Sequence, residues 1–84
     1  MLTVRLYKTP ACGLCAAALA ALGRLARTRR LAIERVDVSA DPLLARYVLR
    51  VPVLVVGEAE LDAAGLADGA IARWLDEVAG ASGR

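Results

Sequence analysis

Within its first 38 residues the chain writes a strand, a helix and a second strand, and that order restricts the folds open to it more than any other feature. Leu2, Val4 and Leu6 alternate with Thr3, Arg5 and Tyr7, the period-2 pattern of a strand. From Cys12 to about Arg27 an Ala/Leu-rich run favours helix. "LAIERVDV" (Leu31 to Val38) is β-branched and apolar enough for a second strand. Two strands bracketing a helix are expected to lie parallel, joined by a right-handed crossover. With 84 residues the chain has room for one core, so the remaining elements must complete the same sheet.

Those elements are legible. Asp41 followed by Pro42 is a capping residue and a proline at the first helical position, and predicts a helix to about Leu49. "VPVLVV" (Val51 to Val56) is a continuous run expected of a strand buried on both faces. Gly57-Glu58 turns it, and Ala59 to Leu61 return as a short edge strand. Asp68 can cap a last helix with Ile71, Trp74, Leu75 and Val78 at helical spacing, and Gly80 is expected to stop it. Trp74, and Tyr47 in the second helix, are read as packing residues. The expected order is β-α-β-α-β-β-α in a single domain over residues 1–80, with residues 81–84 a flexible tail.

The net charge of +2 is too small to point to a nucleic-acid partner. The densest basic run, "RLARTRR" (Arg24 to Arg30), falls where the first helix ends; cations there suit the helix dipole or serve an acidic partner. No apolar run approaches the roughly 20 residues that span a bilayer, and "MLTVRLYKTP" lacks the order of a signal peptide. A cytoplasmic protein with no membrane partner is expected, and there close cysteine pairs are more often catalytic or metal-binding than structural.

Cys12 and Cys15, the only cysteines, sit at the first strand-to-helix junction. Three apart, they project from one helix face. Cys15 belongs to a stripe with Leu19, Leu22 and Ala26 that should face the sheet. Cys12 precedes the first turn, where unpaired backbone amides and the dipole favour a thiolate. Such placement lowers a thiol pKa from about 8.5 toward 7 or below. Cys12 is therefore the expected nucleophile and Cys15 the sheltered resolving thiol. Lys8, four residues upstream, could approach the thiolate, bind a substrate carboxylate, or stand in solvent. Pro52 either opens its strand or follows a cis Val51-Pro52 bond; in the second case the backbone of Val51 could pair with an extended peptide or thiol substrate.

"LYKTPACGLC", the helix after it, and "RVPVLVV" before the last hairpin together resemble the thioredoxin superfamily, most nearly a small glutaredoxin-like protein. The element order agrees over essentially the whole chain. The resemblance implies an α/β fold in which a four-stranded mixed sheet is flanked by three helices. It also implies dithiol–disulfide exchange at the tip of the first helix. In that pattern Cys12 attacks, Cys15 resolves, Val51-Pro52 is a cis peptide facing them, and Lys8 helps bind a glutathione carboxylate. No tightly bound cofactor is implied, with glutathione as a candidate reductant. The expected partner is a disulfide-containing protein or a low-molecular-weight thiol, served by a monomer.

The chain also departs from the pattern. Its motif is CGLC after Ala11, without the tyrosine and proline of CPYC or the WCGPC of thioredoxins. Arg50 stands where threonine usually precedes Val-Pro; it could hold an anionic substrate, steady the thiolate or be solvated. "GEAELDAAGLADG" has no clear match for the glycines and acidic residue that hold the far end of glutathione. Two other functions suit the same residues: a metal or iron–sulfur carrier using Cys12 and Cys15, with no metal site expected within one chain, and a thioredoxin-fold binding module without turnover.

Overall fold

Strand β1 (Leu2–Lys8) forms the middle of the molecule because both its faces find apolar partners: Val4 and Leu6 are buried on one side, Tyr7 on the other. The computed structural model describes residues 1–82. Helix α1 (Gly13–Leu25) follows, and β2 (Leu31–Asp37) returns parallel to β1, with Leu2 opposite Leu31 and Lys8 opposite Asp37. Strand β3 (Val53–Val56) runs antiparallel on the other side of β1, and β4 (Ala59–Asp62) pairs antiparallel with β3. Gly57 takes a φ of 58° in the two-residue loop between them, a conformation that glycine reaches at little cost. The sheet order is β2-β1-β3-β4, the four-stranded mixed sheet of a thioredoxin-like arrangement.

Both α-helices pack on one face. Helix α1 contributes Ala18, Ala21 and Leu22, and α2 (Asp68–Ser82) contributes Ile71 and Leu75, against Val4, Leu6, Leu54 and Val56. Alanines on α1 let the helix settle close to the sheet, which suits a core without phenylalanine. The buried stripe of α1 is Cys15-Ala18-Leu22, with Ala21 beside it. The expected member Leu19 is half-buried, and Ala26 lies just past the last helical residue.

The opposite face carries a thinner cover. In place of the α-helix expected from Pro42 to Leu49, the chain forms two 3-10 segments, Val38–Ala40 and Pro42–Tyr47. The capping signature itself is realised, since the Asp41 carboxylate accepts the Leu43 N–H at 2.9 Å. Two constraints favour the tighter winding. Asp37 and Asp41, four residues apart, each cap a separate short turn, and Pro52 discourages helical backbone at Val51. Tyr47, buried beneath this cover, meets Tyr7 edge-on with ring centroids 4.7 Å apart, and packs with Val38, Val53 and Val55.

Two further expectations change. Asp68 is the first residue of α2, and its carboxylate reaches Arg24 of α1 at 2.7 and 2.9 Å. Gly80 does not stop α2, which continues to Ser82; glycine lowers helix propensity without forbidding it. Of the tail expected from residue 81, Gly83 and Arg84 lie outside the described residues. Within the basic run, Arg29 pairs with Asp76 of α2 at 3.0 Å on the surface. Arg24 and Arg29 thus pin the end of α1 to α2 at two points. No helix among the described residues is long and apolar enough to cross a membrane.

Candidate functional site

The turn between β1 and α1 is built by Pro10 and Ala11. Ala11 has a φ of 56°, the only non-glycine described residue in the left-handed region. That conformation costs an L-residue about 1–2 kcal/mol. It reverses the chain sharply enough that Cys12, extended at φ −99° and ψ 106°, becomes the N-cap of α1.

At the N-cap a side chain normally offers oxygen to the unpaired amides of the first turn. Here sulfur takes that place: Cys12 Sγ accepts the Cys15 N–H at 3.1 Å. Cys12 and Cys15 are joined in a disulfide, with Cα atoms 5.2 Å apart. Their environments differ as the sequence suggests. Cys12 is half-buried, and Cys15 is 3% exposed beneath it, at the head of the stripe that packs on the sheet. Leu14, between them, is 54% exposed.

A cavity of about 490 Å³ opens beside the pair. Leu6, Ala16 and Leu19 give it an apolar floor, and Lys8, Cys12 and Arg35 are among the residues at its walls. Lys8 therefore lies with the cysteines. Asp37 sits opposite Lys8 in the β1–β2 ladder, but its carboxylate accepts the Ser39 amide and hydroxyl at 2.9 and 2.6 Å. Those bonds, with a smaller contribution from Lys8, hold the Asp37 carboxyl below the ordinary range.

The Val51-Pro52 peptide is cis. Tyr7 faces Val53 in the β1–β3 ladder, so one step further along the same pair places Pro52 beside Lys8, at the end of the sheet where Cys12 lies. The Pro52 carbonyl accepts the Ala63 N–H at 2.9 Å, which extends the β3–β4 pairing. The Val51 N–H is committed to the Tyr47 carbonyl at 3.1 Å. Of the two backbone polar groups of Val51, the carbonyl alone has no backbone partner.

Arg50 is drawn away from the cavity. Its guanidinium bridges Glu60 at 3.1 Å and Asp62 at 2.9 Å, and lies 5.1 Å from the Tyr47 ring centroid. The Tyr47 hydroxyl donates to Glu60, and the Arg46 guanidinium also lies over the ring, 4.6 Å from its centroid. These contacts raise the Tyr47 phenol above its ordinary value, chiefly through Glu60, and lower the Glu60 carboxyl, chiefly through Tyr47 and then Arg50. The structure thus brings together Lys8, Cys12 and Cys15, sets Val51 and Pro52 at the same end of the sheet, and ties Arg50 into a network on the opposite face.

Sequence reasoning missed Ala11 and Arg35. Nothing local marks a positive φ at an alanine. Arg35 did leave a signal, since it shares a face with Leu31 and Ile33, where the alternation calls for another apolar residue. Among the described residues no group of three or more His, Cys, Asp or Glu is clustered as a metal site, so one chain offers a metal only the two sulfurs here.

The model of one family, the Glutaredoxin-like domain (DUF836), matches residues 3–76. The chain belongs to that family. No curated protein matches it. The thioredoxin-like sheet and the CxxC pair at the head of α1 are consistent with that membership. A thioredoxin-like redox role for the pair follows from family and geometry together.

Proposed function

We propose that the protein is a dithiol–disulfide oxidoreductase that reduces a disulfide in a protein or a mixed disulfide with a low-molecular-weight thiol. The observation that carries this reading is the asymmetry of the pair: an N-cap sulfur that accepts an amide hydrogen bond, above a partner sulfur sealed against the sheet.

In the reduced protein the Cys12 thiolate attacks one sulfur of the substrate disulfide. A Cys12–substrate disulfide forms, and the other substrate sulfur leaves as a thiolate that takes a proton from water. Cys15, once deprotonated, attacks Cys12 Sγ, closes the Cys12–Cys15 disulfide and expels the second substrate thiolate. Two electrons pass from the dithiol to the substrate. An external dithiol, or two molecules of a monothiol such as glutathione, returns them. The amide donors at the head of α1 stabilise Cys12 both as attacking thiolate and as leaving group in this last exchange.

Lys8 is proposed to hold a carboxylate of the thiol partner, and the Val51 carbonyl to accept a backbone N–H from it. Exposed Leu14 offers a protein substrate an apolar contact. Arg50, held by Glu60 and Asp62, serves by steadying the segment before Val51. A cytoplasmic setting, a monomer and no tightly bound cofactor belong to the same proposal.

The test is thiol counting followed by turnover. The reduced protein should lose two thiols on mild oxidation and recover them with dithiothreitol. Cys12→Ser should abolish reduction of hydroxyethyl disulfide, and Cys15→Ser should accumulate a mixed disulfide seen by mass. Comparing glutathione with glutathione reductase against thioredoxin reductase identifies the electron donor. A Cys12 that titrates near 9 and resists alkylation at neutral pH overturns the proposal, and stoichiometric zinc, copper or iron after anaerobic purification favours a carrier instead.

A further inference from the structure

The cavity beside the cysteines contains a cation to which the reaction above gives no role. Arg35 projects from β2, directly across the ladder from Leu6 and diagonal to Lys8. Among the described residues its guanidinium makes no ion pair within 4 Å, unlike Arg5, Arg24, Arg29 and Arg50. No acidic residue lines the cavity. Of the nearest acids on β2, Glu34 pairs with Arg5 on the opposite face, and Asp37 takes its hydrogen bonds from Ser39 and interacts only more weakly with Lys8 opposite it. Two adjacent strands thus aim unpaired cations into a cleft with an apolar floor, and the unsatisfied amides of α1 add positive potential at its end.

Val51 and Pro52 do not line this cavity. The cations of the β2 side therefore flank the pair separately from the Val51-Pro52 backbone, which lies at the same end of the sheet. We infer that Arg35 is a specificity-determining residue, which makes the β2 flank select thiol partners with a carboxylate near the reacting sulfur. The inference rests on the oxidoreductase reading of Cys12 and names the class of partner that it takes. The floor receives the carbon chain of such a partner, and the carboxylate lies between Lys8 and Arg35 while its sulfur meets Cys12 Sγ. A volume of about 490 Å³ accommodates a small thiol or a few residues of a peptide.

Two alkylating agents of nearly equal size and opposite charge character test this directly. Reduced wild type, Arg35→Gln and Arg35→Lys are treated at pH 7 and low salt with iodoacetate and, separately, with iodoacetamide. Both rates depend on the thiolate fraction of Cys12, so their ratio isolates attraction of the anion. Arg35→Gln should lower the iodoacetate-to-iodoacetamide ratio about threefold or more, Arg35→Lys should largely retain it, and 0.5 M salt should compress the wild-type ratio toward that of Arg35→Gln. In turnover, kcat/KM for dithiodipropionate should fall by a similar factor in Arg35→Gln while that for neutral hydroxyethyl disulfide holds. An unchanged ratio, or equal loss with both reagents, overturns the role of Arg35. A wild type that reduces neither disulfide overturns the oxidoreductase reading instead, and the alkylation ratio then still decides whether the flank selects anions.

Discussion

Ala11 shows how much of the site depends on one residue whose side chain does nothing chemical. Its φ of 56° turns the chain from β1 into the cap of α1, and without that turn Cys12 would not lie over the open amides. The strain of about 1–2 kcal/mol is tolerated because β1 and α1 fix both ends of the turn. Replacing Ala11 by glycine removes that strain but frees the unfolded chain by about 0.5–1 kcal/mol. Ala11→Gly is therefore expected to stabilise the protein by about 0.5–1 kcal/mol in urea unfolding; a loss of stability would show that the turn is not held at positive φ in solution. Sulfur at the cap was foreseeable, because two cysteines three apart at the start of an Ala/Leu run permit few other arrangements. The backbone state of Ala11 was not, since any small residue fits the same letters.

At the scale of elements, strands and their order were legible because alternation, β-branching and the crossover rule all point the same way. The segment from Val38 to Leu49 was not. Its residues have helical propensity, but Asp37 and Asp41 each cap a separate turn and Tyr47 is drawn under the cover toward Tyr7, so local preference yields to tertiary contacts. The partners of the basic run at the end of α1 were not legible for the opposite reason: they lie more than 40 positions away, on α2. The Asp68 and Asp76 carboxyls are both lowered, chiefly by their hydrogen bonds to Arg24 and Arg29. A lowered carboxyl contributes stability that is full above its unfolded pKa and is lost as pH falls through the folded value. Thermal stability should therefore decline on acidification below about pH 4–5, and Asp68→Asn with Asp76→Asn should flatten that decline. Both pairs are exposed, so the difference should be modest and should shrink in 0.5 M salt. An unaltered acid profile in the double variant would place the stabilising carboxylates elsewhere.

For the whole molecule, the division of the core decides which part opens most readily. Two α-helices seal one face of the sheet, and two short 3-10 segments cover the other. Local opening should be cheapest on the thin side, where few backbone hydrogen bonds are shared with regular structure. Amide hydrogen exchange is expected to be fast at Val48, Arg50 and Val51, and at least a hundredfold slower at Leu54 and Leu22. Uniform protection across both faces would contradict this ordering. The neighbourhood of Cys12 and Cys15 could be read from the chain, whereas the sequence leaves Lys8 open between cleft and solvent. The cationic far wall was written only as a break in the alternation of β2 at Arg35, where Leu31 and Ile33 call for another apolar residue.

The bond from the Val51 amide to the Tyr47 carbonyl then acquires a kinetic meaning. A partner strand that seeks both backbone groups of Val51 finds one already engaged, and must wait for the thin cover to breathe. On the proposed function, docking would take two beats, with the sulfur captured first and the strand laid down afterwards. The pace of the second beat would be set by the segment around Tyr47, far from any sulfur.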